Sequence, residues 1–122
     1  MVEVICDTNF LIHLATNRIT NLDNLDVEIG QITFVVPQVV KNELCELEKN
    51  PNKKQDIEST LNYIKSFKII PLFGTFADKE LLDYTSKNRV IVATMDKELK
   101  KLIKNHGSSI MSFSNNKIVL ES

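Results

Sequence analysis

The hydrophobic residues of this chain alternate between short, mostly apolar runs and stripes at helical spacing. Runs rich in β-branched residues predict strands that are covered on both faces. These runs lie at 2–6, 32–36, 69–72, 90–93 and 109–113, and a shorter one at 118–120 follows a polar turn at 114–117. Apolar residues three and four positions apart predict the intervening helices. The helical stripes lie at 10–14, 38–49, 57–64, 77–88 and 97–106.

Because strands and helices alternate, the pattern predicts an α/β fold, a three-layer α/β/α sandwich with a mostly parallel central sheet. We expect a single domain over residues 1–122, since this length accommodates one hydrophobic core. Pro71 predicts a less central position for the third strand. Residues 17–30 are polar with scattered apolar positions and predict a loop that carries a short helix.

The composition is typical of a soluble globular protein, with 43% hydrophobic and 25% charged residues. No apolar segment approaches the ~20 residues of a membrane-spanning helix, and the N-terminus lacks a secretion signal pattern, so we expect a cytoplasmic protein. The two cysteines are predicted to be buried free thiols. Together with the two histidines they lack ligand-like spacing, which argues against a zinc site.

The net charge of −1 hides an uneven distribution of charged residues. Residues 1–50 contain three basic and eight acidic side chains, whereas residues 51–122 contain twelve basic and eight acidic ones. This division is compatible with a basic surface beside an acidic pocket, and equally with lysines that only solvate helix faces.

Four acidic residues occupy comparable positions in the predicted elements. Asp7 and Asp96 directly follow apolar strands, Glu43 lies on the inward stripe of a helix, and Asp78 lies at a helix start. Each has an ordinary structural explanation, as a helix cap, a first-turn acid or a buried ion-pair partner. However, the carboxyl ends of parallel strands form one edge of a sheet, so we expect the four acids to converge there.

Converging carboxylates repel one another and raise one another's pKa unless a cation neutralises them. Oxygen ligands of this kind favour Mg²⁺ or Mn²⁺ over zinc. Ions held in this way support displacement at phosphorus, because they lower the pKa of the attacking water and stabilise the leaving oxygen.

Four segments resemble, in order and spacing, the successive motifs of the PIN-domain family. They are Asp7-Thr8-Asn9, residues 36–44, Ala77-Asp78 and residues 93–99. The resemblance covers essentially the whole chain and is strongest to archaeal PIN nucleases similar to the small-subunit rRNA-processing proteins, and more distant to the PIN-domain toxins. Around the third acid the family's longer acidic cluster is reduced here, which leaves Asp78 and Asp83 as alternatives.

The resemblance implies a metal-dependent endoribonuclease that hydrolyses phosphodiester bonds of single-stranded RNA. It implies that one or two Mg²⁺ or Mn²⁺ ions are held by four residues that are also catalytic, namely Asp7, Glu43, Asp78 and Asp96. In this hypothesis Asp7 and Asp96 hold the catalytic ion, while the other two orient or deprotonate the attacking water. Nearby polar support is expected from Thr94, Thr8 and Asn9.

Lysines near these motifs are candidates for phosphate contacts. They are Lys97, Lys100, Lys101, Lys104, Lys53 and Lys54. Because few aromatic residues are predicted to be exposed, we expect limited recognition of RNA sequence.

The family resemblance also implies partners: a homodimer, and either a ribosome-assembly partner or an antitoxin. Two alternatives to an rRNA-processing enzyme stay open, namely the toxin ribonuclease of a toxin–antitoxin pair and a non-catalytic RNA-binding or assembly module. A phosphatase-like or nucleotide-binding domain is disfavoured, since the chain has no Gly-rich phosphate loop.

Overall fold

The computed structural model describes residues 2–21 and 31–121. Six strands form the sheet: β1 Val2–Cys6, β2 Ile32–Pro37, β3 Lys68–Ile70, β4 Ile91–Ala93, β5 Ser109–Ser114 and β6 Lys117–Glu121. Within these residues, five α-helices accompany the strands: α1 Thr8–Thr16, α2 Gln38–Leu47, α3 Lys54–Tyr63, α4 Ala77–Lys87 and α5 Lys97–Asn105. A short 3₁₀ turn, Ile64–Ser66, extends α3 towards β3.

The described strands form one sheet in the order β3-β2-β1-β4-β5-β6, as the sequence predicts for a mostly parallel sheet. Only β6 is antiparallel, since it returns beside β5 through a hairpin in which Asn115 and Asn116 adopt positive φ. The strand that contains Ile69 and Ile70 lies at the edge, as the following proline predicts. At the centre β1 pairs with β4 in parallel register, so that Cys6 lies opposite Ala93.

Helices cover both faces of the sheet, which confirms the three-layer sandwich. Successive residues of β1 point to opposite faces, and they enter two different cores. Val4 packs into a core with α1, α2 and α3, through Phe10, Leu44 and Ile57. Ile5 packs into the other core with α4 and α5, through Leu81 and Ile103.

Several local predictions differ from the structure. The short helix predicted within 17–30 lies mostly outside the described residues, and 17–21 contain no helix. Cys6 is buried as predicted, but Cys45 is exposed because it lies on the outer face of α2. The prediction of a buried thiol there was wrong. No helix in the described part of the chain is long and apolar enough to cross a membrane.

Candidate active site at the carboxyl end of the sheet

Asp7 lies at the centre of the predicted acid cluster, at the end of β1. Its side chain is only 9% exposed. One oxygen, Oδ1, accepts a hydrogen bond from the Thr8 backbone N–H at 2.8 Å, so Asp7 is the N-cap of α1. The other, Oδ2, accepts from the Thr94 hydroxyl at 3.0 Å. Asp7 therefore caps α1 itself, and this bond holds its carboxylate at the edge of the sheet.

The pKa of Asp7 is raised above its usual value of 3.8. Burial is the main cause, and repulsion from Glu43 and Asp96 raises the pKa further. The hydrogen bonds from Thr8 and Thr94 act in the opposite direction but do not offset burial. Glu43 and Asp96 therefore lie close enough to Asp7 for their charges to act on it.

Asp96 combines a capping role with a place in the cluster. Its Oδ1 accepts from the backbone N–H groups of Glu98 at 2.9 Å and Leu99 at 3.2 Å, which makes Asp96 the N-cap of α5. Its own N–H donates to the Thr94 hydroxyl at 3.2 Å. Thr94 is fully buried and thus bonds to both Asp7 and Asp96. The predicted supporting role of Thr94 has a direct structural basis.

Glu43 joins three helices through its two carboxylate oxygens. Its Oε1 accepts from the Thr8 hydroxyl at 2.7 Å, and its Oε2 accepts from the Ala77 backbone N–H at 2.8 Å. Phe76, the residue before α4, makes no side-chain cap, so Glu43 caps α4 from the neighbouring helix α2. Among the described ion pairs none involves Glu43, so its inward position reflects these hydrogen bonds and not a salt bridge.

The two alternatives for the third acid, Asp78 and Asp83, have different surroundings. Asp78 lies in the first turn of α4 and lines a cavity of about 260 Å³ together with Asp96, Leu99 and Leu102. Asp83 lies one and a half turns further along α4 and forms an ion pair with Lys87 at 3.5 Å. Asp78, and not Asp83, thus shares a cavity with Asp96. Asp78 and Asp96 are both exposed, whereas Glu43 is half-buried and Asp7 is buried.

The predicted lysines do not form one surface. Lys97, Lys100, Lys101 and Lys104 line a cavity of about 390 Å³ on α5, whereas Lys53 and Lys54 lie at the start of α3 in the opposite helical layer. Lys54 forms an exposed pair with Glu58 at 3.9 Å. Asn9, the last predicted polar residue, is exposed on α1.

Glu121 of β6 is a partner of the predicted lysines that the sequence analysis missed. Its carboxylate accepts from the Ser112 hydroxyl at 2.6 Å, from Lys104 at 3.1 Å and from Lys100 at 3.3 Å. These partners, the Ser112 hydrogen bond first, lower the pKa of Glu121 to about 2. Glu121 thus neutralises part of the lysine surface, and its position near the chain end carried no sequence signal.

The acid cluster offers few protein ligands to a hard cation. Within residues 2–21 and 31–121, no group of three or more His, Cys, Asp or Glu side chains is placed so that it could hold a metal ion, so the four predicted acids do not form one ligand set. Mg²⁺ is commonly bound by one or two carboxylates and several waters. The buried carboxylate of Asp7, with Asp96 nearby on the same edge, fits that type of site.

A larger cavity among the described residues lies elsewhere. It measures about 760 Å³ and is an open groove at the amino ends of the central strands, lined by Arg89, Gly107 and Ser109 among others. It contains one acid, Glu3, which pairs with Lys68 at 2.9 Å. We therefore identify the site by its convergent carboxylates and not by cavity size.

Comparison with known proteins gives the same picture over most of the chain. A family model described as PIN like domain matches residues 4–115. Ribonuclease VapC4 of Methanocaldococcus jannaschii is 35% identical over 117 residues, which cover 87% of this chain and 86% of that protein. The solved structure of the PIN domain endonuclease Utp24 superposes with a TM-score of 0.76 and 29% identity, and covers 98% of this chain and 90% of that chain.

A domain of a functionally unknown protein from Methanocaldococcus jannaschii superposes with a TM-score of 0.56 at 17% identity, covering 93% of this chain and 92% of that one. At that identity the match shows the fold alone. The family model and the identity to the ribonuclease carry the assignment. The chain belongs to the PIN-domain family.

Proposed function

We propose that this protein is an endoribonuclease that hydrolyses phosphodiester bonds of single-stranded RNA with the help of Mg²⁺ or Mn²⁺. The observation that carries the proposal is the buried Asp7 carboxylate, whose pKa is raised by burial and by the adjacent Glu43 and Asp96. A scaffold gains nothing from such repulsion, whereas a cation site requires it. The similarity to a ribonuclease and to a PIN domain endonuclease supports the same activity.

Asp7 and Asp96 would hold the ion, with Glu43 and Asp78 at the margin of the site. A bound divalent ion lowers the pKa of an attacking water and offsets charge on the phosphate in the transition state. The chain's own residues supply the positioning. Thr94 fixes the Asp7 and Asp96 segments relative to each other, and Thr8 fixes Glu43 at the same edge. Because hydrogen bonds hold the carboxylate of Asp7 and that of Glu43 in place, these groups can orient a water molecule towards a phosphate.

We assign the biological role to RNA processing, with a toxin ribonuclease as the second candidate. The resemblance of the four motifs to rRNA-processing PIN nucleases supports the first role, and their more distant resemblance to the PIN-domain toxins keeps the second. The similarity to an endonuclease and to a ribonuclease is compatible with both roles. Expression from an inducible promoter separates them. A toxin arrests growth of the producing cells in a manner that depends on Asp7, whereas a processing enzyme changes only the ends of its own precursor RNA.

The activity is tested with purified protein and an end-labelled single-stranded RNA. We expect cleavage in Mn²⁺ or Mg²⁺, loss of cleavage in EDTA, and recovery when excess ion is returned. A gain in thermal stability on adding ion to the metal-free protein is the independent readout, because binding to the folded state alone raises the melting temperature. Cleavage that persists unchanged in EDTA would exclude the metal-dependent reaction.

Replacing the third acid is expected to distinguish Asp78 from Asp83. Asp78→Asn should lower kcat by about 10- to 100-fold, because Asp78 shares a cavity with Asp96. Asp83→Asn should leave kcat near the wild-type value, because Asp83 is paired with Lys87 on another part of α4. Single-turnover cleavage rates measure both effects. A wild-type rate for both variants would remove Asp78 from the site.

Glu121→Gln is expected to strengthen RNA binding. The change retains the bond to Ser112 but releases Lys100 and Lys104 from a carboxylate that pairs with both. We expect the Kd to fall by about three- to tenfold at low salt, and the slope of log Kd against log salt to steepen by about one to two. The matched control is Glu98→Gln, because Glu98 is an exposed acid on α5, the helix that carries the two lysines. An unchanged slope would exclude this lysine surface from RNA binding.

A further inference from the structure

A second cavity adjoins the acid centre on the side of α2. It measures about 400 Å³, and Val39, Leu47 and the ring of Phe76 form its apolar wall. Glu43 lines this cavity and also bonds to the Asp7 edge through Thr8, so the two sites are contiguous. Contrary to the sequence expectation of few exposed aromatics, Phe73 and Phe76 are each 62% exposed. Exposed aromatic rings beside a reaction centre require an explanation.

The loop of residues 71–76 that carries both rings is anchored at its two ends to α2. At one end the Val39 backbone N–H donates to the Leu72 carbonyl at 2.9 Å. At the other end the Ala77 N–H donates to Glu43 at 2.8 Å. Between them Gly74 has a φ of +154°, and a Cβ there would overlap the Glu80 side chain. These bonds hold the backbone on both sides of Phe76, which is exposed and gains little from packing.

We propose that this cavity binds an unpaired nucleobase of the RNA, stacked on Phe76, next to the bond that is cleaved. This inference rests on the proposed function and identifies how that site holds its substrate. Stacking on an exposed aromatic ring is the general means by which proteins hold single-stranded bases. The cavity volume lies within the range of small-ligand sites. Its wall includes Glu43, so a base seated here lies next to the acid centre.

The polar groups of the cavity favour a base that donates hydrogen bonds. Glu46 contributes a carboxylate, one oxygen of which accepts from Lys49 at 3.0 Å, while Asn42 contributes an amide and Thr75 a hydroxyl. Asn42 is oriented by Gln38, whose Nε2 donates to Asn42 Oδ1 at 3.0 Å. Carboxylates accept hydrogen bonds from exocyclic amino groups. The cavity is therefore expected to prefer adenine, cytosine or guanine, which carry such a group, over uracil.

Binding is measured without cleavage, in EDTA, by fluorescence anisotropy of short labelled RNA. Phe76→Ala is expected to weaken binding of oligoadenylate by about tenfold, and Phe76→Tyr to retain wild-type affinity because the ring is kept. Oligouridylate should bind several-fold more weakly than oligoadenylate to the wild type, and this difference should disappear in Phe76→Ala. An oligonucleotide that contains 2-aminopurine reports stacking directly, since stacking quenches its fluorescence.

Leu120→Ala is the matched control, because Leu120 is also an exposed apolar side chain but lies on β6. Unchanged RNA affinity and unchanged 2-aminopurine quenching in Phe76→Ala would overturn the proposal. So would a change only in the sedimentation coefficient, which would assign the ring to a protein interface. If the wild type binds RNA through Phe76 but never cleaves it, the proposed enzymatic function fails and the base site stands. If the wild type cleaves RNA and Phe76→Ala changes neither cleavage nor binding, the enzymatic function stands and the base site fails.

Discussion

Asp7→Asn is expected to lose RNA cleavage by about a thousandfold or more and, at neutral pH and without divalent ions, to unfold at a higher temperature than the wild type. The asparagine oxygen can still cap α1, and its amide can donate to the Thr94 hydroxyl in place of accepting from it. The substitution removes the buried charge and its repulsion by Glu43 and Asp96, and it also removes the oxygen that accepts the Thr94 hydroxyl proton. We expect a gain of about 1 kcal/mol, or several degrees in Tm.

The pH dependence of this gain follows from the raised pKa of Asp7. The folded protein binds the Asp7 proton more tightly than the unfolded chain, whose pKa is near the usual 3.8. The wild type therefore loses unfolding free energy as the pH rises from that value through the raised pKa, and the asparagine variant does not. The difference in Tm should be absent in acid and largest near neutral pH.

Thermal unfolding followed by circular dichroism, at several pH values in EDTA, measures this effect. Asp83→Asn is the control, because Asp83 is exposed and should show neither the stability gain nor the loss of cleavage. Adding Mn²⁺ should raise the Tm of the wild type more than that of Asp7→Asn. If Asp7→Asn unfolds at a lower temperature than the wild type at neutral pH, hydrogen bonds fully compensate the burial of the Asp7 charge. A variant that still cleaves RNA would remove Asp7 from the reaction.

Glu43→Ala is expected to be the most destabilising change among the four acids, at about 1–3 kcal/mol. The alanine leaves the buried Thr8 hydroxyl and the Ala77 backbone N–H without their acceptor. Helix α4 then loses its cap, since Phe76 provides none. Because α4 also carries Asp78, we expect cleavage to fall together with stability. Urea unfolding and single-turnover cleavage measure the two losses on the same preparation.

Glu43→Gln distinguishes the structural role of this residue from its charge. Glutamine retains one acceptor oxygen for the two donors, so the expected loss of stability is smaller than for alanine, while the negative charge is removed completely. Wild-type cleavage by Glu43→Gln would define Glu43 as a structural bridge only. Glu46→Ala, on the same helix and exposed beside Lys49, should change stability by no more than about 0.5 kcal/mol.

Glu43 joins the start of α4 to α2 and takes part in two structural features. The same carboxylate that caps α4 also forms a wall of the cavity beneath Phe76. Any movement of Glu43 on binding a cation would therefore be transmitted to the loop of residues 71–76.

The sequence by itself determined the order of the elements and the edge at which the chemistry lies. Short β-branched runs such as β1 and amphipathic stripes such as α5 are local patterns, and the strands require helices on both faces. Once the sheet is parallel, residues that follow strands must share one edge. The convergence of Asp7 and Asp96 was therefore predictable, and so was the hydroxyl of Thr94 between them.

Only the tertiary structure decided how the site residues are partnered. Asp78 and Asp83 are equally acidic and five residues apart, and the packing of α4 against α5 determines which of them shares a cavity with Asp96. The bond from Ala77 to Glu43 spans 34 residues, and the Glu121 network depends on the register of β6 beside β5. Sequence periodicity reports which face of an element is apolar, whereas hydrogen bonds and ion pairs form between elements whose separation is set by the packed cores.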